Sequence, residues 1–137
     1  MIVSPVGYPS KEKSEIDKKL RNSVHGDDRL PSDKLFFDGD FFTPLVNANR
    51  ENWAEAVRWA PSAANMQPWR VVKDGNKFHF YEKHTEGYNS GAGWDVQRID
   101  IGIAICHFMS VMDGELKVED PDINVTEDTE YIATIII

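Results

Sequence analysis

The chain has 137 residues, of which 41% are hydrophobic and 11% aromatic, and it carries a formal net charge of −8. This length and apolar content suit one globular domain over residues 1–137 and exclude a wholly disordered chain. The acidic balance argues against a nucleic-acid surface, because binding to phosphates needs an excess of lysine and arginine. We therefore expect a folded domain that does not bind nucleic acid.

No segment has the length and apolar character of a membrane span. The best candidate, Ile101 to Met112, has twelve residues and is interrupted by His107 and Ser110. The start, Met1 to Pro5, lacks the basic region of a signal peptide. One cysteine, Cys106, permits no internal disulfide, as is usual in a reducing compartment. These features predict a cytoplasmic protein without membrane association.

The first third of the chain gives weak secondary-structure signals. A short strand is predicted over residues 2–6, followed by a turn rich in glycine and proline. Residues 11–20 favour a short helix with Ile16 and Leu20 on one face. The aromatic stretch 35–42 contains an Asp-Gly-Asp break, and we expect an irregular segment pinned by its rings.

The middle of the chain predicts a helix followed by a hairpin. From Asn49 onward, apolar residues recur at three- and four-residue steps: Trp53, Ala56, Val57 and Ala60. Pro61 ends this helix. Residues 69–73 and 77–83 alternate like strands around an Asp-Gly-Asn turn, which is a strong hairpin signal.

The last third predicts a long helix and a final strand. Residues 88–93, with two glycines, are expected to form a flexible connection. A helix should run from Asp95 to about Met112 and be buried on most sides, since it is apolar nearly all round after Asp100. Residues 131–137 form the last strand. The fold class is α+β, a mixed sheet with a hairpin packed on a long central helix. Its expected core contains Ile99, Ile103, Cys106 and the aromatic segment 35–42.

Few side chains suggest catalysis or metal binding. Ser62 has no neighbouring histidine, and the four histidines show no metal-ligand spacing with one another or with Cys106. His107 is interpreted as a hydrogen-bonded core histidine and Cys106 as a small buried residue. We therefore assign no catalytic residue and no metal site from these patterns.

The loop Arg58 to Arg70 is the segment best suited to a planar heterocycle. Two prolines stiffen it, and residues 62–64 are small enough to let backbone approach a ring face. Asn65 and Gln67 each offer a hydrogen-bond donor and acceptor. An ordinary Pro/Ser/Asn turn would have the same composition, so composition leaves both interpretations open.

The same loop resembles a family signature. The run Ala60 to Arg70, APSAANMQPWR, is similar to the Pro-Ser-x-x-Asn-x-Gln-Pro-Trp motif of the nitroreductase family. Further segments resemble one branch, the two-lobed "putative TM nitroreductase" proteins, in chain order. These segments are residues 6–9, 35–37, 43–45, 74–81, 98–104, 106–108 and 130–132. The resemblance covers nearly the whole chain and implies a nitroreductase-like fold.

This resemblance implies FMN as the cofactor, held between two lobes or subunits. One side of such a site supplies an arginine cluster for the phosphate, and the other supplies the loop matched here. The flavin would take hydride from NAD(P)H and pass it to a nitroaromatic or quinone-like acceptor. Carried over by position, Pro61, Ser62 and Ala63 would lie against the dimethylbenzene side of the ring, with Asn65 and Gln67 as polar contacts and Arg58 and Arg70 flanking them.

The sequence departs from this family pattern in one respect. In the two-lobed branch the Val-Gly-Tyr-Pro segment follows a lobe that carries the arginine cluster, whereas here it occupies residues 6–9 and no Arg-Arg pair occurs in the sequence. The chain thus resembles the C-terminal lobe alone. We expect it to need a second nitroreductase lobe or a homodimer partner. The alternative is a non-catalytic remnant or interaction module that keeps the fold without the flavin.

Overall fold

A computed structural model describes residues 7, 8, 10–85 and 95–137. The strand predicted at residues 2–6 and the connection predicted at 88–93 lie outside the described residues. Within them the helices are α1 (Glu15–Ser23), α2 (Asn52–Arg58) and α3 (Gln97–Met109). The strands are β1 (Phe36–Asp38), β2 (Trp69–Asp74), β3 (Lys77–Lys83), β4 (Glu115–Lys117) and β5 (Thr129–Ile136). The α+β class is confirmed.

The five strands form one mixed sheet in the order β1-β2-β3-β5-β4. β1 runs parallel to β2, and the other pairs are antiparallel. The predicted hairpin is confirmed as β2 and β3, which close with Asp74 opposite Lys77. Gly75 occupies the turn with a φ of 57°, a left-handed conformation that glycine adopts without steric cost.

The hydrophobic core lies between one face of the sheet and helices α2 and α3. Trp53 of α2, Phe78 of β3 and Phe108 of α3 pack with ring centroids 4.9 to 5.7 Å apart. Alternate strand residues such as Val71 and Ile135 point to the same side and are fully buried. The sheet therefore presents its apolar face to two helices, and the loop 58–70 connects one of them, α2, to strand β2.

Helix α3 buries only one of its sides. Its described core residues are Ile101, Ala104, Ile105 and Phe108, which recur at three- and four-residue steps. The prediction that Ile99 and Cys106 are core residues is wrong, since Ile99 is 53% exposed and Cys106 is also exposed. Ile103 is partly buried at the margin of the core. Apolar residues occur on every side of this helix, so their spacing in the sequence could not identify which side is buried.

The aromatic segment 35–42 is only partly in the core. Leu35 and Phe36 are fully buried, whereas Phe42 is 83% exposed, which corrects the prediction for that residue. Phe36 to Asp38 form β1 instead of an irregular segment, because their backbone pairs with β2. His107 is half-buried, and its Nδ1 lies 3.0 Å from the Ala56 carbonyl oxygen, as expected for a hydrogen-bonded histidine.

Helix α1 begins later than predicted, at Glu15, because Ser14 caps it. The Ser14 hydroxyl accepts a hydrogen bond from the Asp17 N–H at 3.1 Å. Its apolar residues Ile16 and Leu20 are 80% and 63% exposed, so no side of this helix joins the core. In the described part of the chain, none of the helices has the length and apolar character that crossing a membrane requires.

Candidate functional site

The loop from Arg58 to Arg70 leads from the end of α2 into β2 and holds an unusual backbone. A single helical turn spans Ala63–Asn65. The φ angles of Ala64, Asn65 and Gln67 are 47°, 57° and 50°, in the left-handed region. Each such residue costs about 1 to 2 kcal/mol in an L-amino acid. Contacts outside the loop must therefore stabilise this conformation.

Asn65 and Gln67 supply such contacts by binding the segment His25 to Leu30. The Asn65 amide nitrogen donates to the carbonyl oxygens of His25 at 2.6 Å and Asp28 at 3.0 Å. The Gln67 Oε1 accepts from the Leu30 N–H at 2.9 Å, and its Nε2 lies 3.2 Å from the Asn65 carbonyl oxygen. Gln67 is only 4% exposed. Both amides thus act within the protein and fix the loop.

A second anchor comes from helix α3. The backbone N–H of Ala63 donates to both carboxylate oxygens of Asp100, at 3.1 and 3.2 Å. Asp100 is 4% exposed, and burial raises the pKa of its carboxyl while the Ala63 N–H opposes that shift. The Ser62 hydroxyl accepts from the Gln67 N–H at 2.9 Å, which closes the loop on itself. The turn is therefore held from both ends.

The outward surface of the loop consists of small residues. Pro61, Ala63 and Ala64 are exposed, and Ser62 is half-buried with its hydroxyl turned to the loop. Trp59, two residues before Pro61 in the chain, is 52% exposed. Such a surface offers apolar contact and close backbone approach without moving any side chain.

Two arginines lie near Trp59. The guanidinium carbon of Arg29 is 4.9 Å from the centre of the Trp59 ring, and that of Arg58 is 5.8 Å from it. Arg58 also donates through Nε to the Leu30 carbonyl oxygen at 2.9 Å, and its Nη1 lies 3.7 Å from a Glu55 carboxylate oxygen. Arg58 is therefore engaged in packing the loop on the segment 25–30.

Arg70 belongs to the other side of the sheet. It lines a cavity of about 570 Å³ with Phe37, Phe41 and Lys83, and none of residues 61–64 lines it. Its Nη1 donates to the carbonyl oxygens of Gln67 at 3.0 Å and Trp69 at 2.6 Å. Burial lowers the pKa of Arg70 to about 10, so the guanidinium stays charged at neutral pH. The structure thus separates Arg70 from the exposed surface of the loop.

The sequence matches a known family over the region that contains this loop. Residues 1–111 match the family model described as "Putative TM nitroreductase". The chain belongs to this nitroreductase family. Searches of curated proteins and of solved structures found no match. The family assignment therefore confirms the resemblance carried by the run 60–70 and by the other matching segments up to residue 111.

Sequence reasoning missed two parts of this nitroreductase loop environment. The carbonyl oxygens and N–H groups of residues 25–30 gave no signal, because backbone groups have no side-chain signature. Asp100 did leave a signal, since it is the one carboxyl group in α3. A buried carboxylate of this kind needs a hydrogen-bond partner, and the Ala63 N–H is that partner.

Proposed function

We propose that the chain is a lobe of an FMN-dependent oxidoreductase of the nitroreductase type, with the flavin ring lying on Pro61, Ser62 and Ala63. The family match over residues 1–111, which includes this loop, carries the proposal. Nitroreductases generally use flavin. When bound, FMN supplies hydride transfer from NAD(P)H to a nitroaromatic or quinone-like acceptor. The residues of the chain bind and orient it.

The loop surface fits the face of a flavin ring. Pro61, Ala63 and Ala64 are exposed and small, so a planar ring can approach the backbone without a steric conflict. The hydrogen bonds to Asp100 and to residues 25–30 hold this backbone in place before any ligand arrives. Such preorganisation lowers the ordering cost of binding.

The polar residues of the loop have hydrogen-bond partners within the chain. The Asn65 amide donates to two carbonyl oxygens, and the Gln67 amide binds Leu30 and the Asn65 carbonyl. We therefore assign both as positioning residues that maintain the left-handed backbone. Arg58 and Arg70 donate to backbone carbonyls, so the cationic groups for the phosphate would come from a second nitroreductase lobe or a second copy of the chain.

A non-catalytic interaction module is the second candidate. One observation favours it: the amides of Asn65 and Gln67 and the guanidinium of Arg58 bind groups of this chain. Such a module would keep the loop as a structural turn and would show no affinity for flavin. Flavin binding at the exposed loop surface therefore distinguishes the two candidates.

The loop surface can be tested with Ala63→Trp, which places a large side chain where the ring would lie. Because Ala63 is exposed, we expect the melting temperature to change by less than about 3 °C. The affinity for FMN, measured by quenching of flavin fluorescence, should fall at least tenfold. Lys19→Trp, on the exposed side of α1, is the matched control and should change neither quantity. Unchanged FMN affinity in Ala63→Trp would reject the assignment of this surface.

A further inference from the structure

A cluster of carboxylates surrounds His84 at the end of β3, distant in sequence from the loop 58–70. Glu82 lies in β3, and His84 is the first residue after this strand. Asp95 lies just before α3. The candidate ligand atoms of these three residues all lie within 4.8 Å of one another. An imidazole and two carboxylates are typical zinc ligands.

Glu82 is the fully buried member of this cluster. It is 0% exposed, and within the described part of the chain neither of its carboxylate oxygens accepts a hydrogen bond. The nearest described arginine nitrogen, Nε of Arg98, is 3.9 Å away. A buried carboxylate without hydrogen bonds is costly unless a cation compensates it.

The distances around His84 suit a tetrahedral ion. Its Nδ1 lies 3.2 Å from Oε1 of Glu82 and 3.4 Å from Oδ2 of Asp95. Ligands bound to zinc at about 2.0 to 2.2 Å lie about 3.3 to 3.6 Å apart along the edges of a tetrahedron. The two separations from His84 are close to these values, and all three ligand atoms lie within 4.8 Å of one another.

The second ring nitrogen of His84, Nε2, also has a carboxylate neighbour. His84 Nε2 lies 3.5 Å from Oε2 of Glu130, and Glu130 accepts a hydrogen bond from Nη2 of Arg98 at 2.6 Å. A carboxylate on the second ring nitrogen orients a metal-binding histidine and keeps its first nitrogen available for the ion. Arg98 is the one arginine among these groups, and its positive charge would repel a metal ion. Its closest contact is with Glu130.

We propose that Glu82, His84 and Asp95 bind one Zn²⁺ ion through Oε1, Nδ1 and Oδ2, with Glu130 orienting the imidazole. Three protein ligands leave a fourth position for water. The ion would connect the end of β3 to the start of α3. In this arrangement the zinc ion compensates the buried Glu82 carboxylate.

The test is calorimetric titration of the whole, tag-free chain with ZnCl₂ after treatment with EDTA. We expect one Zn²⁺ per chain with micromolar affinity or better. Glu82→Gln and His84→Gln should each weaken binding at least tenfold. His25→Asn is the control, because His25 is an exposed histidine 3.3 Å from Asp28 and outside the cluster. It should bind Zn²⁺ like the wild type. Cobalt(II) should give the visible d–d bands of a tetrahedral site in the wild type.

His84→Lys distinguishes a metal site from a network of ion pairs. A lysine ammonium can face Glu82 and Asp95 as a cation, but it is not a zinc ligand. We expect this variant to fold, as judged by circular dichroism, and to lose Zn²⁺ binding. The variant also keeps the proposal testable if Glu82→Gln does not fold. Absence of Zn²⁺ binding by the wild type, or equal binding by His84→Lys, would overturn the proposal.

Discussion

Asn65→Asp should strongly destabilise the protein, although the carboxylate it introduces has nearly the same size as the amide it replaces. The Asn65 amide nitrogen donates to the carbonyl oxygens of His25 at 2.6 Å and Asp28 at 3.0 Å. The substitution removes two hydrogen bonds, each worth about 0.5 to 1.5 kcal/mol, and places a carboxylate oxygen against two carbonyl oxygens. The Nη1 of Arg29 lies 3.2 Å from Oδ1 of Asn65, so its positive charge would partly compensate the new carboxylate. We expect a loss of about 2 to 4 kcal/mol.

Asn47→Asp is the matched control for this substitution. Asn47 has nearly the same backbone conformation, with a φ of 59°, is exposed and makes no capping hydrogen bond through its side chain. Its replacement should change the free energy of unfolding by less than about 0.5 kcal/mol. Thermal or urea denaturation measures both variants, and about 1 kcal/mol corresponds to roughly 4 °C in Tm for a domain of this size. If Asn65→Asp melts within 2 °C of Asn47→Asp, the anchoring role of Asn65 is refuted.

Two further pairs of variants test the loop backbone and the orientation of α3. Ala64→Gly should be neutral or stabilising by up to about 1 kcal/mol, because Ala64 has a φ of 47°, whereas Ala63→Gly should cost about 0.5 to 1 kcal/mol. Urea denaturation showing the same sign for both would contradict the left-handed assignment. Ile101→Asp should unfold the domain by burying an unpaired charge, and Ile99→Asp should leave circular dichroism unchanged, since Ile99 is 53% exposed. Folded Ile101→Asp protein would show that this side of α3 is not buried.

The sequence predicted the elements whose signals are local. The hairpin of β2 and β3 depends on alternation around a glycine turn, and α2 depends on one apolar stripe ending before Pro61. Strand β1 was missed because it is defined by parallel pairing with β2, whose register joins Phe36 to Val71 across 35 positions. A pairing of this kind leaves no pattern within three residues.

In the loop too, features that depend on neighbouring residues could be predicted, and features that depend on distant residues could not. Its position and its exposed small residues followed from the run 60–70, and the family match to residues 1–111 supports that identification. The hydrogen bonds of Asn65 could not be predicted, because its partners are backbone carbonyls 37 and 40 residues earlier in the chain. For α3, the apolar residues surround the helix, so only packing identifies Ile101 as buried and Ile99 as exposed.

The most direct test of the proposed half-site compares FMN and riboflavin as ligands of the chain alone. Two charged hydrogen bonds to the phosphate, at about 1.5 to 3 kcal/mol each, would favour FMN about a hundredfold or more. Arg58 and Arg70 bind backbone carbonyls, so we expect fluorescence titration to give equal affinities within about threefold. Ala63→Trp should weaken the binding of FMN and of riboflavin to the same extent. A hundredfold preference for FMN, or failure of both flavins to bind at any concentration, would contradict the account.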